Sequence, residues 1–198
     1  MSPLDKGYYT EQELGQLGFA SFGADCWISR NCSIIGAKNV QMGSHVRIDD
    51  YVVISAASGS LQLGSYIHIA AGAYLGCAGG ITMADFAGIS QGVKVYSASD
   101  DYSGAAMTNP TVPSRYLNVD VAPVSFGRHA IAGAGSIILP GVTLGEGTAI
   151  GAMTLISRGF TAADWSIYFG VPARKIADRS KVLLDAAATL MSEPKLPG

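Results

Sequence analysis

Charge is scarce in this sequence. Of its 198 residues only 14% are Asp, Glu, Lys or Arg, against 48% hydrophobic, and the net charge is -2. No Lys/Arg cluster occurs, which argues against nucleic acid as a partner, because a polyanion needs a concentrated basic patch. Long apolar runs are missing too. None approaches the roughly 18 to 20 residues of a membrane span. The segment MSPLDKGYYTEQEL has no apolar signal core, so the expected compartment is the cytoplasm. The cysteines, Cys26, Cys32 and Cys77, form no metal-ligand spacing and read as small inert hydrophobes. His45, His68 and His129 include no close pair, so no metal is expected. So little charge on so apolar a chain implies a continuous buried stack, with part of the outer surface covered between subunits.

What is present is a six-residue beat. From Phe126 the chain reads FGRHAI AGAGSI ILPGVT LGEGTA IGAMTL IS, with leads at Phe126, Ala132, Ile138, Leu144, Ile150 and Ile156. Six residues are too few for a strand and a crossover helix, and the period matches neither a helix nor simple strand alternation. The beat fits a parallel β-solenoid in which each hexad is one short strand and a turn, its lead residue inward. A looser version begins at Phe22. Met42, Leu63 and Met83 start equivalent stretches, each followed at six-residue steps by Ile48 and Ile54, Ile69 and Leu75, Ile89 and Val95. Each coil therefore has three faces, with extra residues at one corner (56–62 and 76–82).

A single domain over 1–198 follows. Thr10-Glu11-Gln12-Glu13 has capping-box form, so a short helix within 1–21 should plug the open end. The solenoid should occupy 22–160. The beat lapses at about 97–123, SASDDYSGAAMTNPTVPSRYLNVDVAP, a polar loop with three prolines whose length points to a working role. A break at Thr161–Trp165 precedes a C-terminal part, 161–198. There Val182, Leu183, Ala186 and Leu190 have helical spacing and should pack on the outside of the solenoid, ahead of a frayed SEPKLPG tail.

The segments IAGAGSIILPGVTLGEGTAIGAMTLIS and YFGVPARKI resemble the acetyl-CoA-binding end of hexapeptide-repeat acyltransferases. YTEQELGQLGF, VRIDD, YSASDDYSG and TNPTVP resemble, within them, the O-antigen and capsule sugar acetyltransferases. That resemblance implies an all-β, left-handed parallel β-helix assembled as a homotrimer, with sites between subunits. It also implies acetyl-CoA as co-substrate, its pantetheine arm lying against Gly133, Ala134, Gly151, Ala152 and Thr154. Arg174 and Lys175 would pair with the nucleotide phosphates, or else be solvated charges starting the last helix.

The catalytic base is the open question. Relatives of this kind carry a His in the segment matching YSASDDYSG, and this chain has Asp100 there, followed by Asp101. A sugar hydroxyl needs a base in the transition state, worth about 10²–10⁴-fold, and an ordinary carboxylate serves poorly. A neutral amine attacks a thioester unaided, so positioning supplies most of the acceleration. Asp100 and Asp101 therefore favour an amino-sugar acceptor, an aspartate orienting the amine and relaying its proton. His68, at a strand end, is the alternative base for a hydroxyl acceptor. His45 and His129 sit fourth in their hexads, an exposed turn position.

The leading expectation is N-acetylation of a nucleotide-linked amino sugar in surface-polysaccharide assembly. The reaction would be direct, through an oxyanion held by backbone amides, with no acylated residue. The runners-up are sugar O-acetylation with His68 as base and an antibiotic-modifying acetyltransferase. A γ-type carbonic anhydrase needs histidines this spacing does not provide. A structural or ice-binding solenoid should show flat Thr-rich outer faces and no long polar loop.

Overall fold

The computed structural model describes residues 6–193. Three parallel sheets wind around one apolar core as a three-sided prism. One side, here the histidine face, stacks Trp27–Ile28, Arg47–Ile48, His68–Ile69, Gly88–Ile89, Ile131–Ala132, Ala149–Ile150 and Ser166–Phe169. The tyrosine face stacks Ser33–Ile35, Val53–Ser55, Tyr74–Gly76, Lys94–Tyr96, Ile137–Ile138 and Leu155–Ile156. The threonine face stacks Val40–Met42, Leu61–Leu63, Ile81–Met83, Val124–Phe126, Thr143–Leu144 and Thr161–Ala162.

Every hexad lead points inward. Ile48, Ile69 and Ile89, then Ile54, Leu75 and Val95, form columns of almost fully buried side chains. Burying each is worth about 1.5–3 kcal/mol. Outward residues alternate with them and set each face's character. The threonine face presents Gln41, Gln62, Thr82, Ser125, Thr143 and Thr161 in register. One side thus has the flat polar row of a structural solenoid, but only one of the three.

The N-terminal helix, α1 (Glu11–Leu14), starts with the expected capping box between Thr10 and Glu13. Arg30 pairs with Glu13 and, with the cap's own bonds, holds that carboxyl down at about 2. Leu14 is buried beneath the first coil and joins the core. The break expected at Thr161–Trp165 is not a break. Ala162 takes the inward lead, Trp165 turns the corner, and Ser166–Phe169 adds another rung before Arg174–Asp178 folds back antiparallel. Small and aromatic leads hid that coil from a pattern of aliphatic ones.

The C-terminal helix, α2 (Leu183–Ser192), forms but does not pack as expected. None of its residues is buried, and Val182 and Leu190 are exposed. Its first turn does reach the solenoid, where half-buried Leu183 lines a recess with Ile89 and Ile131, while the rest of the stripe stays largely exposed. The SEPKLPG tail lies largely outside them.

Candidate active site

The three corners of the prism differ, and that difference builds the site. Where the threonine face turns into the histidine face, His45, Tyr66, Phe86, His129 and Trp165 all sit in the left-handed region, at φ between 49° and 61°. Their rings stack coil on coil, 4.5 Å from His45 to Tyr66, then 4.8 Å to Phe86 and 4.8 Å to His129. Left-handed backbone costs an L-residue roughly 1–2 kcal/mol, and each ring pair returns about 0.5–1.5 kcal/mol. His129 is consequently buried, at 6% exposure, rather than in the open turn its hexad position suggested. Burial chiefly, with Arg128 adding to it, pushes its pKa down, and its Nε2 has no hydrogen-bond partner among the described residues. At this corner the amides of Ala24, Ser44, Ser65 and Glu146 are capped by Ser44, Ser65, Asp85 and Asp164 from the next coil.

Where the histidine face turns into the tyrosine face, the corner is bare. Its left-handed residues include Gly72, Gly92 and Gly135. The amides of Asp50, Ala71, Gln91, Ala134 and Ala152, one per coil, donate to nothing among the described residues. With coils about 4.8 Å apart, they form a rail of outward-facing donors. Gly133 and Gly151 are required by the fold itself: a Cβ on Gly133 would lie 2.6 Å from the Ala152 nitrogen, and one on Gly151 would overlap the Phe169 ring. Thr154 is buried, its hydroxyl donating to the Ala152 carbonyl and accepting from the Gly170 amide. Arg174 and Lys175 lie on the antiparallel strand, not at a helix start. Arg174 pairs in register with Phe169, whose ring covers the last rung, while Lys175 Nζ is 2.6 Å from Asp178.

The third corner carries the extra residues and the long loop. Ala98–Ser99 and Asp120–Val121 close the loop's neck as an antiparallel ribbon, and Arg158 clamps Asp120 from a neighbouring coil. Asp101 accepts from the Ser103 amide at 2.7 Å and from Asn118, bonds that hold its carboxyl below the usual range and tie it to loop shape. The Asp100 carboxylate has no partner among the described residues and borders a recess of about 580 Å³. The two aspartates thus separate into an anchor and a free group.

His68 lies on a different face. Its Nε2 is 2.8 Å from Asp49 Oδ2, and Asp49 Oδ1 accepts from Arg47 Nε at 2.6 Å and from the Tyr8 hydroxyl. Burial pushes the Asp49 carboxyl up, but the bonds from His68 and Arg47 outweigh it and hold it below its ordinary value. A carboxylate at Nε2 keeps the proton there and leaves Nδ1 as the basic atom. His68 lines a small cavity of about 230 Å³ with Ser90, His129 and Arg179. Ser90, at the bare corner's first turn position, was missed in the sequence, where it reads as an ordinary turn serine. Within one chain His68 and Ser90 share no recess with Asp100.

The site thus offers a rail of free amides beside small turn residues and an unpaired carboxylate at the foot of a long loop, on a solenoid of apolar hexapeptide coils. No family model matches the chain. It is 42% identical over 178 residues to the dTDP-4-amino-4,6-dideoxy-D-glucose acyltransferase of Escherichia coli, covering 90% of this chain and 92% of that one. An N-acyltransferase from Bacillus cereus, solved with dTDP and 3-hydroxybutyryl-CoA, is 41% identical at a TM-score of 0.88, covering 94% of this chain and 97% of that one. A variant of it holds dTDP-4-amino-4,6-dideoxyglucose and coenzyme A, at 41% identity and a TM-score of 0.89 over 94% and 97% of the two chains. Other solved forms carry replacements of one serine, or of an aspartate ten positions after it. The chain belongs to the left-handed β-helix, hexapeptide-repeat acyltransferases and is an acyltransferase that draws on coenzyme A thioesters.

Proposed function

We propose that this enzyme transfers an acyl group from a coenzyme A thioester to the amine of a dTDP-linked amino-dideoxy sugar, in the cytoplasm and in service of surface-polysaccharide assembly. The observation that carries the acceptor is Asp100: its carboxylate is free while Asp101 and Asp120 are both tied. Ser90 and Asp100 are moreover the one Ser–Asp pair of this sequence ten residues apart, the spacing of the residues replaced in the Bacillus enzyme.

The free amides of Ala134 and Ala152, beside Gly133 and Gly151, fit the amide groups of a pantetheine arm. Arg174 and Lys175, at the end of that rail, suit the phosphates of the coenzyme. Thr154 acts indirectly, by fixing the corner's shape from inside. Asp100 holds the substrate ammonium and takes its proton. The neutral amine forms the C–N bond at the thioester carbonyl; the oxyanion then re-forms the carbonyl and breaks the C–S bond, and the extra proton on the adduct nitrogen passes to the departing thiolate to give the amide and the free thiol. Ser90 Oγ, at the first turn position of the bare corner, donates to the substrate in this reading. Since Ser90 and Asp100 line different recesses of one chain, the complete site in this reading joins two copies, and the exposed apolar residues Trp27, Ile131, Val171, Val182 and Leu190 favour a homotrimer.

The test is thiol release from acyl-CoA with paired amino and hydroxyl nucleotide sugars. Turnover is expected on the amines, and Asp100→Asn should lower kcat/KM for them by about 100-fold or more. Turnover confined to hydroxyl acceptors would sink the reading. The His68–Asp49 pair favours one second reading, O-acylation with His68 as base. In that case His68→Gln, and not Asp100→Asn, abolishes turnover.

A further inference from the structure

The long loop is tied to the solenoid at both legs of its neck. On the outgoing leg Ser97 is buried, its hydroxyl donating to the Gly76 carbonyl at 2.6 Å and accepting from the Gly79 amide at 2.9 Å. The returning leg is tied by Arg158. That residue belongs to the turn after Leu155–Ile156, on the same edge of the prism and beyond the turn that follows Ile137–Ile138. Its Nε donates to Asp120 Oδ2 and its Nη2 to Asp120 Oδ1 at 2.5 Å, a two-pronged grip. An ion pair this exposed contributes little to stability, so its worth lies in what it places.

What it places is the surroundings of Asp100. Asp120 pairs in register with Ser99, and Asp100 is the next residue out along the loop. Besides the recess already described, Asp100 borders a second one of about 610 Å³, lined also by Asp101, Asp120 and Arg158. Three carboxylates and one guanidinium thus share that space. Asp101 is engaged by the Ser103 amide and Asn118, while the bonds from Arg158 hold the Asp120 carboxyl below its ordinary value. The other titratable groups facing Asp100 are the phenols of Tyr74, Tyr96 and Tyr102. Lys94, on the tyrosine face, lines neither recess.

We propose that Arg158 is a positioning residue for the transfer reaction. Acting through Asp120, it fixes the neck from which Asp100 projects and engages the one other carboxylate that would compete for the substrate ammonium. The inference rests on the proposed role of Asp100. A carboxylate released beside Asp100 would draw the ammonium away and disfavour ionisation of Asp100. A guanidinium released by loss of Asp120 would act in the opposite sense, favouring the ionised form and pairing with it in place of substrate.

The experiment measures kcat/KM for the amino sugar against pH, at low ionic strength, in wild type, Arg158→Gln, Asp120→Asn and the double variant. Protonation of Asp100 sets the acid limb in this mechanism. Arg158→Gln should lower kcat/KM by about 10- to 100-fold and raise the acid limb by about 0.5–1 pH unit, with acyl-CoA KM unchanged. Asp120→Asn should also lower kcat/KM, yet move the limb down. Removing both charges should return the limb to its wild-type place, and Arg158→Lys should recover much of the rate. A strut that only kept the loop folded would shift no limb and gain nothing from the second substitution. The limb's position does not depend on how much of a variant is folded, so a lowered thermal transition leaves the result readable. Limbs that coincide in all four enzymes, or a limb that persists in Asp100→Asn, overturn the inference and leave amine acylation standing. A rise confined to acyl-CoA KM also overturns it, by placing Arg158 on the coenzyme. Wild-type turnover on hydroxyl acceptors alone overturns this inference and the proposed function together.

Discussion

Two corners of one prism solve the same turn in opposite ways. Both must bend the chain by about a third of a circle with a left-handed residue and leave one amide pointing outward. At the aromatic corner the strained positions carry rings that stack, and most of the amides are capped by serine or aspartate from the coil above. At the bare corner the turns are largely glycine and alanine, and five successive amides stay open. The first corner gathers local stability. The second leaves hydrogen-bonding capacity for something outside the chain. The proposed path of the coenzyme follows these uncapped donors.

Substitutions can erase or exaggerate this contrast. Phe86→Ala, in the middle of the ladder, removes two ring contacts and leaves the left-handed backbone uncompensated. It should lower stability by about 2–3 kcal/mol in denaturant unfolding without changing acyl-CoA KM. A loss of activity at unchanged stability would show that the ladder is not merely structural. Transplanting the seal is subtler. Ser44 caps the amide of Ala24 one coil below, so Ala152→Ser should cap Ala134 in the same manner. Acyl-CoA KM should rise by about two- to tenfold, the worth of one hydrogen bond, and an unchanged KM would argue that the rail is not the coenzyme's path. The reciprocal change, Ser65→Ala, uncaps the Ser44 amide. About 1 kcal/mol should be lost, a fall in Tm of about 2–4 °C, with kinetics untouched. The smallest effect belongs to His129. Its pKa is depressed in the fold but not in the unfolded chain, so its contribution is complete above about pH 6.5 and drains away as pH falls below that value. His129→Phe should flatten the acid side of the Tm–pH curve, and an unaltered curve would clear His129 of any part in it.

The inward columns were legible because one residue in six is forced apolar by the core, and nothing else in the chain can repeat so regularly. Phe126, Ile138 and Ile156 are buried as their positions implied. The last coil escaped notice because Ala162 and Trp165 satisfy the same geometry with atypical residues. The ladder escaped because its members are spaced by whole coils and share no local pattern; His129 looks exposed until Phe86 and Trp165 are placed beside it. For the site, Asp100 is legible as a carboxylate within the long polar loop, yet its difference from Asp101 is a matter of partners, which only three dimensions reveal. Gly133 and Gly151 illustrate the converse. They were read as room for a ligand, and the neighbouring coil and the Phe169 ring already demand them.

The third corner has one more consequence. The extra residues, narrower than the expected 56–62 and 76–82 because Gly76, Leu61 and Ile81 already belong to strands, are 56–60 and 77–80; they and the loop at about 97–123 all leave from it, between strands whose register on the other two sides is fixed by the core. Lengthening a segment there costs only slowly growing loop entropy and shifts no inward residue. That edge is thereby a detachable module: a lineage can rewrite it while the other two corners are inherited intact.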